Sequence, residues 1–424
     1  MTDIRSDQDL TETPDQPLRI NLDMVGCRLN QSEIEQYARQ FRAAGHTIVA
    51  TPGDADLVVV NTCGVTAAAA ADSRSKARRA HRAGAERIIL TGCWSTLAPA
   101  EAASLPGVVD VVPNDSKDEL VGSTLGIRPD NFDLEPVVRE PLPGARLRTR
   151  AFIKVQDGCD NRCTFCVTTI ARGVGRSRPI AAVLDDIRAA VLGGAQEAVL
   201  TGVHLGSWGQ DLDRPLHLKN LVQSILAESD LPRLRLSSLE PWDLDEAFFE
   251  IWADPRLCRH LHLPLQSGSG STLRRMARKT TPALFARLVR DARQMVPEMA
   301  ITTDIIVGFP GETDAEFDES LDFVASQGFA GGHVFTYSPR TGTAAAGMPD
   351  QVDGKVRKAR NGSMREVFSR SADQYQQSFI GRELTALWET TSELGPEVWR
   401  LHGLTDNQLR VTAHAPKDAW NQIS

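Results

Sequence analysis

The chain has 424 residues, of which 41% are hydrophobic and 24% charged, and its formal net charge is −8. That length allows two or three domains with cores of their own. The acidic balance argues against general nucleic-acid adhesion but leaves room for a local basic surface. No apolar run reaches the length of a membrane span, and seven cysteines, an odd number, do not read as a disulfide frame.

Residues 1–17 are polar and acidic, unlike a signal or transit peptide, and read as a disordered tail; a cytoplasmic location is expected. Residues 18–127 alternate apolar strands (18–25, 56–62, 87–92, 108–113) with helical stretches (32–45, 67–84), which predicts a parallel-sheet α/β domain. Residues 128–147, rich in Pro and Arg, read as a linker. Over 148–378 the alternation resumes, with strands at 151–156, 198–203, 234–238, 260–265, 301–309 and 332–337. Six βα units in a row predict a full or partial TIM-type barrel with its site at the carboxyl ends of the strands. Thr313 with Glu316 predicts a capping box opening one helix. Residues 379–424 read as a small, abbreviated all-β module.

Cys159, Cys163 and Cys166 form a C-x3-C-x2-C run directly after the first barrel strand. Three thiolates on one loop can hold three corners of a [4Fe–4S] cluster and leave the fourth iron open to a small molecule. A closed zinc site is the alternative; it would need a fourth ligand, and His204 is the one histidine that topology brings near. Cys27, Cys63 and Cys93 each directly follow a predicted parallel strand, so all three thiols are expected at one edge of the sheet, where ligands bind. Read singly, each could be a small buried hydrophobe. Cys258, alone at a strand start, reads as a buried structural thiol, and His260 and His262, two apart, as packing or hydrogen-bonded residues of one sheet face.

The C-x3-C-x2-C run, with Phe165 at its aromatic position, resembles the radical S-adenosylmethionine (SAM) signature. The contexts Gly26-Cys27-Arg28-Leu29-Asn30, Asn61-Thr62-Cys63-Gly64-Val65-Thr66 and Gly92-Cys93 resemble those of the methylthiotransferase family. After the third cysteine that family has Ala-Gln one residue on, whereas this chain reads Trp94-Ser95-Thr96. The resemblance implies two [4Fe–4S] clusters, one cleaving SAM to a 5′-deoxyadenosyl radical and one carrying the sulfur to be transferred. It also implies a tRNA substrate, an electron donor such as flavodoxin or ferredoxin, a sulfur source, no membrane, and a C-terminal RNA-binding module of the TRAM type.

Segments 200–212, 233–243, 260–269, 303–313 and 333–352 resemble the branch acting on N(6)-threonylcarbamoyladenosine beside the anticodon. The branches acting on N(6)-isopentenyladenosine or on a ribosomal protein remain alternatives, as does a non-catalytic metal- or RNA-binding protein. By position in the family's barrel, Glu197 is expected to meet the SAM amino group, and Ser238, Glu240 and Gln266, at strand ends, its ribose or carboxylate. Arg172, Arg176, Arg178 and Arg340 are candidates for the carboxylate of the modified base. Basic stretches at 74–87, 146–178 and 355–370 are candidates for phosphate contacts, or else solvated helix faces.

Overall fold

A computed structural model describes residues 16–127, 149–395 and 397–424, so nearly all of the expected tail, the linker, Arg146 and Arg148 lie outside the described residues. The chain divides into two compact units: residues 16–127 with 170–173, and residues 149–169 with 174–424.

The first unit is built on five parallel strands: β1 (Arg19–Met24), β2 (Thr47–Ile48), β3 (Leu57–Thr62), β4 (Ile88–Gly92) and β5 (Val108–Val112), in the order β2-β1-β3-β4-β5. The edge strand β2 has two residues, too few for a periodic signal, and is the one strand here that sequence reading lacks. All six residues of β3, Leu-Val-Val-Val-Asn-Thr, are buried, as a central parallel strand covered on both faces requires. One face packs Ile34, Tyr37 and Phe41 of helix α1 (Arg28–Ala43) against Ile20, Leu57 and Val59. The other packs Ala70, Ala77 and Ala80 of helix α2 (Ala67–Arg82) against Val58, Val60 and Leu90. This is a three-layer doubly wound fold in the flavodoxin-like order, whose strand connections reverse between β1 and β3.

In the second unit six parallel strands follow one another around a partial barrel. They are β6 (Arg150–Lys154), then, after the short ribbon strands β7 (Gln156–Asp157) and β8 (Arg176–Ser177), β9 (Glu197–Thr201), β10 (Arg233–Leu236), β11 (His260–His262), β12 (Ala300–Val307) and β13 (Gly331–Thr336). β6, β9 and β10 form one ladder and β11, β12 and β13 another, joined by the bridges Leu234–Leu257 and Ser238–His262. Thr313 and Glu316 form the capping box expected of them. The C-terminal strands β14 (Ala386–Leu394), β15 (Val398–Thr405) and β16 (Arg410–Pro416) make an antiparallel sheet, whose first strand also pairs with the chain end through Ala386 and Ser424.

That small sheet belongs to the same compact unit as the barrel rather than standing apart. The reason is a set of buried arginines. Arg235 donates to the Thr405 and Asp406 carbonyls at 3.0 and 3.1 Å, and Arg233 to the Leu404 carbonyl at 2.9 Å. Arg259 adds an ion pair with Asp406 at 2.6 Å. No helix among the described residues is long and apolar enough to cross a membrane.

Candidate functional site

The C-x3-C-x2-C loop leaves the barrel after β6. It is tied down at its base by the β7–β8 ribbon, where Gln156 pairs with Ser177 and Asp157 with Arg176. Gln156 also bonds the Asp157 and Gly158 carbonyls and accepts from the Val203 and His204 amides at 3.0 and 2.9 Å, which joins the loop to the one after β9. Thr164 anchors the far side, donating to Met276 O through its amide and to Arg275 O through its hydroxyl. Phe165 packs against a small apolar cluster of Met276, Phe309, Tyr337 and Ala345.

Cys159, Cys163 and Cys166 line a cavity of about 260 Å³ shared with Phe165, Ser238, Glu240, Gln266, Arg278 and Asp304. Each sulfur receives a donor: Asn161 N to Cys159 at 3.4 Å, Arg278 Nη1 to Cys163 at 3.6 Å, and Thr168 N to Cys166 at 3.4 Å. Burial pushes the Cys163 and Cys166 thiols up, so in the absence of a metal they hold their protons. Three thiols beside a cavity, each with its own N–H, fit a cube that takes one thiolate per corner. Among the described residues no three side chains are close enough to share a single ion; a cube's ligands each meet a different iron. His204 bonds Asp243 through Nε2 at 2.7 Å, lies 3.3 Å from Asn161 through Nδ1 and also bonds the Cys159 thiol, so it braces the cysteine loop.

Ser238, Glu240 and Gln266 therefore meet at the cavity where the strand-end argument puts them. Glu240 is gripped bidentately by Arg278 at 3.1 and 2.6 Å, and Arg278 in turn stacks on Trp242 at 4.5 Å. Gln266 has φ 77°, a left-handed conformation disfavoured for a side-chain-bearing residue, held by its backbone bonds to Asp304 and Ile306. Glu197 corrects its expectation. It is the first residue of β9, not near its end, and so lies at the opposite rim of the barrel and off the cavity wall. There it is fully buried and paired with Arg235 at 2.8 Å, Arg233 at 3.2 Å and Arg150 at 3.8 Å. Cys258 is buried beside it, its sulfur 3.7 Å from Glu197 Oε2, as a structural thiol.

In the first unit Cys27, Cys63 and Cys93 converge at the carboxyl edge of the sheet. Cys27 stands at the N-cap of α1, just beyond β1; Cys63 directly follows β3; Cys93 opens helix α3 (Cys93–Leu97) after β4. Cys27 and Cys63 thus flank the strand-order reversal, where a doubly wound sheet opens a crevice for ligands. The crowding is direct: a Cβ at Gly26 would lie 2.8 Å from Cys63 Cβ, and one at Gly92 would lie 2.3 Å from Thr62 O. Glycine is required before two of the three cysteines for that reason. Burial pushes Cys63 up to about 11, with the neighbouring thiols Cys27 and Cys93 adding to the rise. The Trp94-Ser95-Thr96 departure is accommodated. Trp94 fills the core beneath, Ser95 N bonds Thr62 Oγ1 at 3.1 Å, and Thr96 Oγ1 bonds Gly92 O at 2.8 Å.

Around these thiols lies a buried charged set that sequence reading missed. Glu33 on α1 pairs with Lys117 at 2.6 Å and Arg172 at 3.0 Å and accepts from Asn61 at 2.8 Å. Arg172 also donates to Cys93 Sγ at 3.3 Å and to Asn30 Oδ1 at 2.9 Å. It is 4% exposed, which removes it from the expected contacts to a substrate carboxylate. Arg178 is partly exposed and is held by Asp186 at 2.6 Å and the Lys154 carbonyl at 2.8 Å. Arg176 is exposed on the β7–β8 ribbon and Arg340 is half-buried. Of the basic stretches, Arg78, Arg79 and Arg82 are exposed along α2, and Lys355, Lys358, Arg365 and Arg370 along the helix Gly354–Gln377. Arg360 and Lys154 are instead buried, Arg360 between Glu312 and Asp314.

Residues 153–324 match the family model of the Radical SAM superfamily, and residues 19–113 that of Uncharacterized protein family UPF0004. The threonylcarbamoyladenosine tRNA methylthiotransferase MtaB of Bacillus subtilis is 35% identical over 94% of this chain and 91% of its own. The protein of that name from Thermotoga maritima is 38% identical over 87% and 86%. The tRNA-2-methylthio-N(6)-dimethylallyladenosine synthase of Maricaulis maris is 31% identical over 96% and 93%. Among solved structures, the radical SAM methyltransferase TsrM of Kitasatospora setae superposes with a TM-score of 0.56 at 18% identity, over 75% of this chain and 72% of that one. That likeness extends to the fold.

Proposed function

The chain belongs to the radical SAM methylthiotransferase family, and from that premise we propose that it methylthiolates carbon 2 of N(6)-threonylcarbamoyladenosine beside the anticodon of tRNA. The family's chemistry requires SAM and a [4Fe–4S] cluster, which Cys159, Cys163 and Cys166 would hold against the cavity. When bound, that cluster supplies the electron that splits SAM into methionine and a 5′-deoxyadenosyl radical. Around it the chain's own residues position and exclude. Arg278 holds Glu240 toward the cavity, Ser238 and Gln266 offer polar contacts to SAM, and Phe165 closes the apolar side.

The observation that carries the methylthiotransferase reading is the second set of three thiols, Cys27, Cys63 and Cys93, at the β1–β3 reversal. They would hold an auxiliary [4Fe–4S] cluster bearing the sulfur to be inserted. Arg172, Lys117 and Glu33 beside them carry a net positive charge that suits an anionic cluster. The exposed arginines of α2 offer phosphate contacts to tRNA. A reductant of the flavodoxin or ferredoxin kind, a separate sulfur source and a cytoplasmic location complete the reading.

The choice of branch rests on likeness. Identities are 35% and 38% to the two threonylcarbamoyl relatives and 31% to the dimethylallyl one. A direct test gives the anaerobically reconstituted enzyme two tRNAs, one carrying each modification, and follows methylthio product by mass spectrometry. Product on the threonylcarbamoyl tRNA is expected. Product on the dimethylallyl tRNA alone refutes the branch and leaves the enzyme class intact.

A further inference from the structure

The inner wall of the barrel over β11, β12 and β13 carries linked polar side chains that the cysteine loop does not use. Along β12, Ile301, Thr303, Ile305 and Val307 are buried, while Thr302, Asp304 and Ile306 between them are only partly so. Period-two alternation therefore points Asp304 inward, and Asp304 lines the same cavity as the three cysteines. Its carboxylate takes His262 Nε2 at 3.2 Å and His333 Nδ1 at 3.1 Å. Behind them, His262 Nδ1 and His260 Nε2 both lie 2.9 Å from Thr302 Oγ1.

This wall is open rather than packed. A closed barrel fills its interior with branched apolar side chains, but here the His333 side chain is 73% exposed and Phe335, two residues along the same face, 41% exposed. The rings of His262, His333 and Phe335 run in series, 6.2 and 6.3 Å between centroids. β13 is the last strand of its ladder among the described residues, so the wall ends at the barrel's open edge. A carboxylate bonded to an imidazole fixes the ring's orientation, and an exposed aromatic beside it gives a purine a face to stack on.

We propose that this wall receives the target nucleoside, with Phe335 and His333 along the purine and His333, oriented by Asp304 and His262, bonding the oxygens of the polar N(6) arm. The inference rests on the threonylcarbamoyl reading above. An apolar arm would strip water from the exposed His333 ring and offer it no hydrogen bond in return, so the wall discriminates between the two branches of substrate.

The test uses reconstituted full-length enzyme and both tRNAs, with wild type, His333→Phe and His333→Gln. Wild type is expected to prefer the threonylcarbamoyl tRNA. His333→Phe is expected to lower kcat/KM on it by roughly tenfold to a hundredfold, and to narrow the preference between the two tRNAs. Iron content and 5′-deoxyadenosine formed without tRNA should not change, and His333→Gln, which keeps a donor, should recover part of the loss. An equal fall on both tRNAs, an unchanged preference, or a loss of tRNA-independent 5′-deoxyadenosine overturns the assignment. If His333→Phe does not fold, the preference ratio of His333→Gln decides by the same criterion. A wild type that acts on the dimethylallyl tRNA alone overturns the reading beneath it and the wall's ligand together. A wild type with the expected preference and variants that keep it overturns the wall alone.

Discussion

The guanidinium of Arg172 bonds the sulfur of Cys93 through Nε at 3.3 Å. The same guanidinium meets Glu33 at 3.0 Å, and Glu33 meets Lys117 at 2.6 Å, all of them buried. Two cations and one carboxylate leave one positive charge beside a thiol expected to ligate iron. Such a charge stabilises the more negative, reduced form of a cluster.

Arg172→Met is therefore expected to shift the midpoint potential of the auxiliary cluster to more negative values. It should also destabilise the first unit, because breaking a buried ion pair costs about 3–5 kcal/mol; Lys117 and Asn61 remain on Glu33 and moderate the loss. Arg172→Lys keeps the charge but not the fork, and should restore much of the potential and less of the stability. An EPR-monitored redox titration checks this in a background where Cys159, Cys163 and Cys166 are alanine, so that one cluster is observed. An unchanged potential would show that Arg172 serves Glu33 and not the cluster.

The six cysteines and the strands that precede them were legible because parallel strands read as uninterrupted apolar runs, and loops after such strands share one sheet edge. The roles of Arg172 and Glu197 were not. Each finds its partners far along the chain, Arg172 at Glu33 and Glu197 at Arg233 and Arg235, and no local periodicity encodes a long-range ion pair. A partial signal existed in Arg233-Leu234-Arg235-Leu236. Alternation at period two puts both arginines on one face of a buried strand, and two buried cations require a carboxylate. Asp304 was hidden similarly, the single charge in its strand, as was Arg278, whose partner Glu240 lies far along the chain.

Replacing Cys159, Cys163 and Cys166 together with alanine should abolish 5′-deoxyadenosine formation from SAM and dithionite. Replacing Cys27, Cys63 and Cys93 should leave that reaction and stop methylthio transfer. Each triple variant should retain about half of the wild-type iron, as one of two four-iron clusters predicts. Full iron retention in the second variant would contradict a cluster at the β1–β3 edge.

Arg278 touches both Cys163 at 3.6 Å and Glu240 at 2.6 Å, and it is 8% exposed. Arg278→Met removes the donors that hold Glu240 toward the cavity. Loss of a charge-assisted bond of this kind is worth about 1.5–3 kcal/mol, so SAM affinity is expected to weaken by roughly tenfold or more in calorimetric titrations. Arg278→Lys cannot reproduce the bidentate grip and should fall near the methionine variant. SAM binding at the wild-type level in both variants would remove Arg278 from the SAM site.

The last expectation concerns the rim that holds the C-terminal sheet. Burial pushes the Glu197 carboxyl up, but Arg235, Arg233 and Arg150 outweigh it and bring it down to about 2 from an ordinary 4.5. A carboxyl whose folded-state pKa is depressed contributes stability that is fully present above its unfolded pKa. That contribution is lost as pH falls through the window from about 4.5 to about 2. Because Arg235 and Arg233 also bond the carbonyls of Thr405 and Leu404, the loss should loosen the β14–β16 sheet along with the barrel. Glu197→Gln is expected to lower stability at neutral pH by about 3–5 kcal/mol, the cost of leaving buried cations without their carboxylate. It should also flatten the acid limb of the wild-type profile, because the group that titrates there is gone. Chemical denaturation from pH 7 to pH 3 measures both effects. A variant that keeps the wild-type acid limb would assign that limb to other carboxylates, such as Asp406 opposite Arg259.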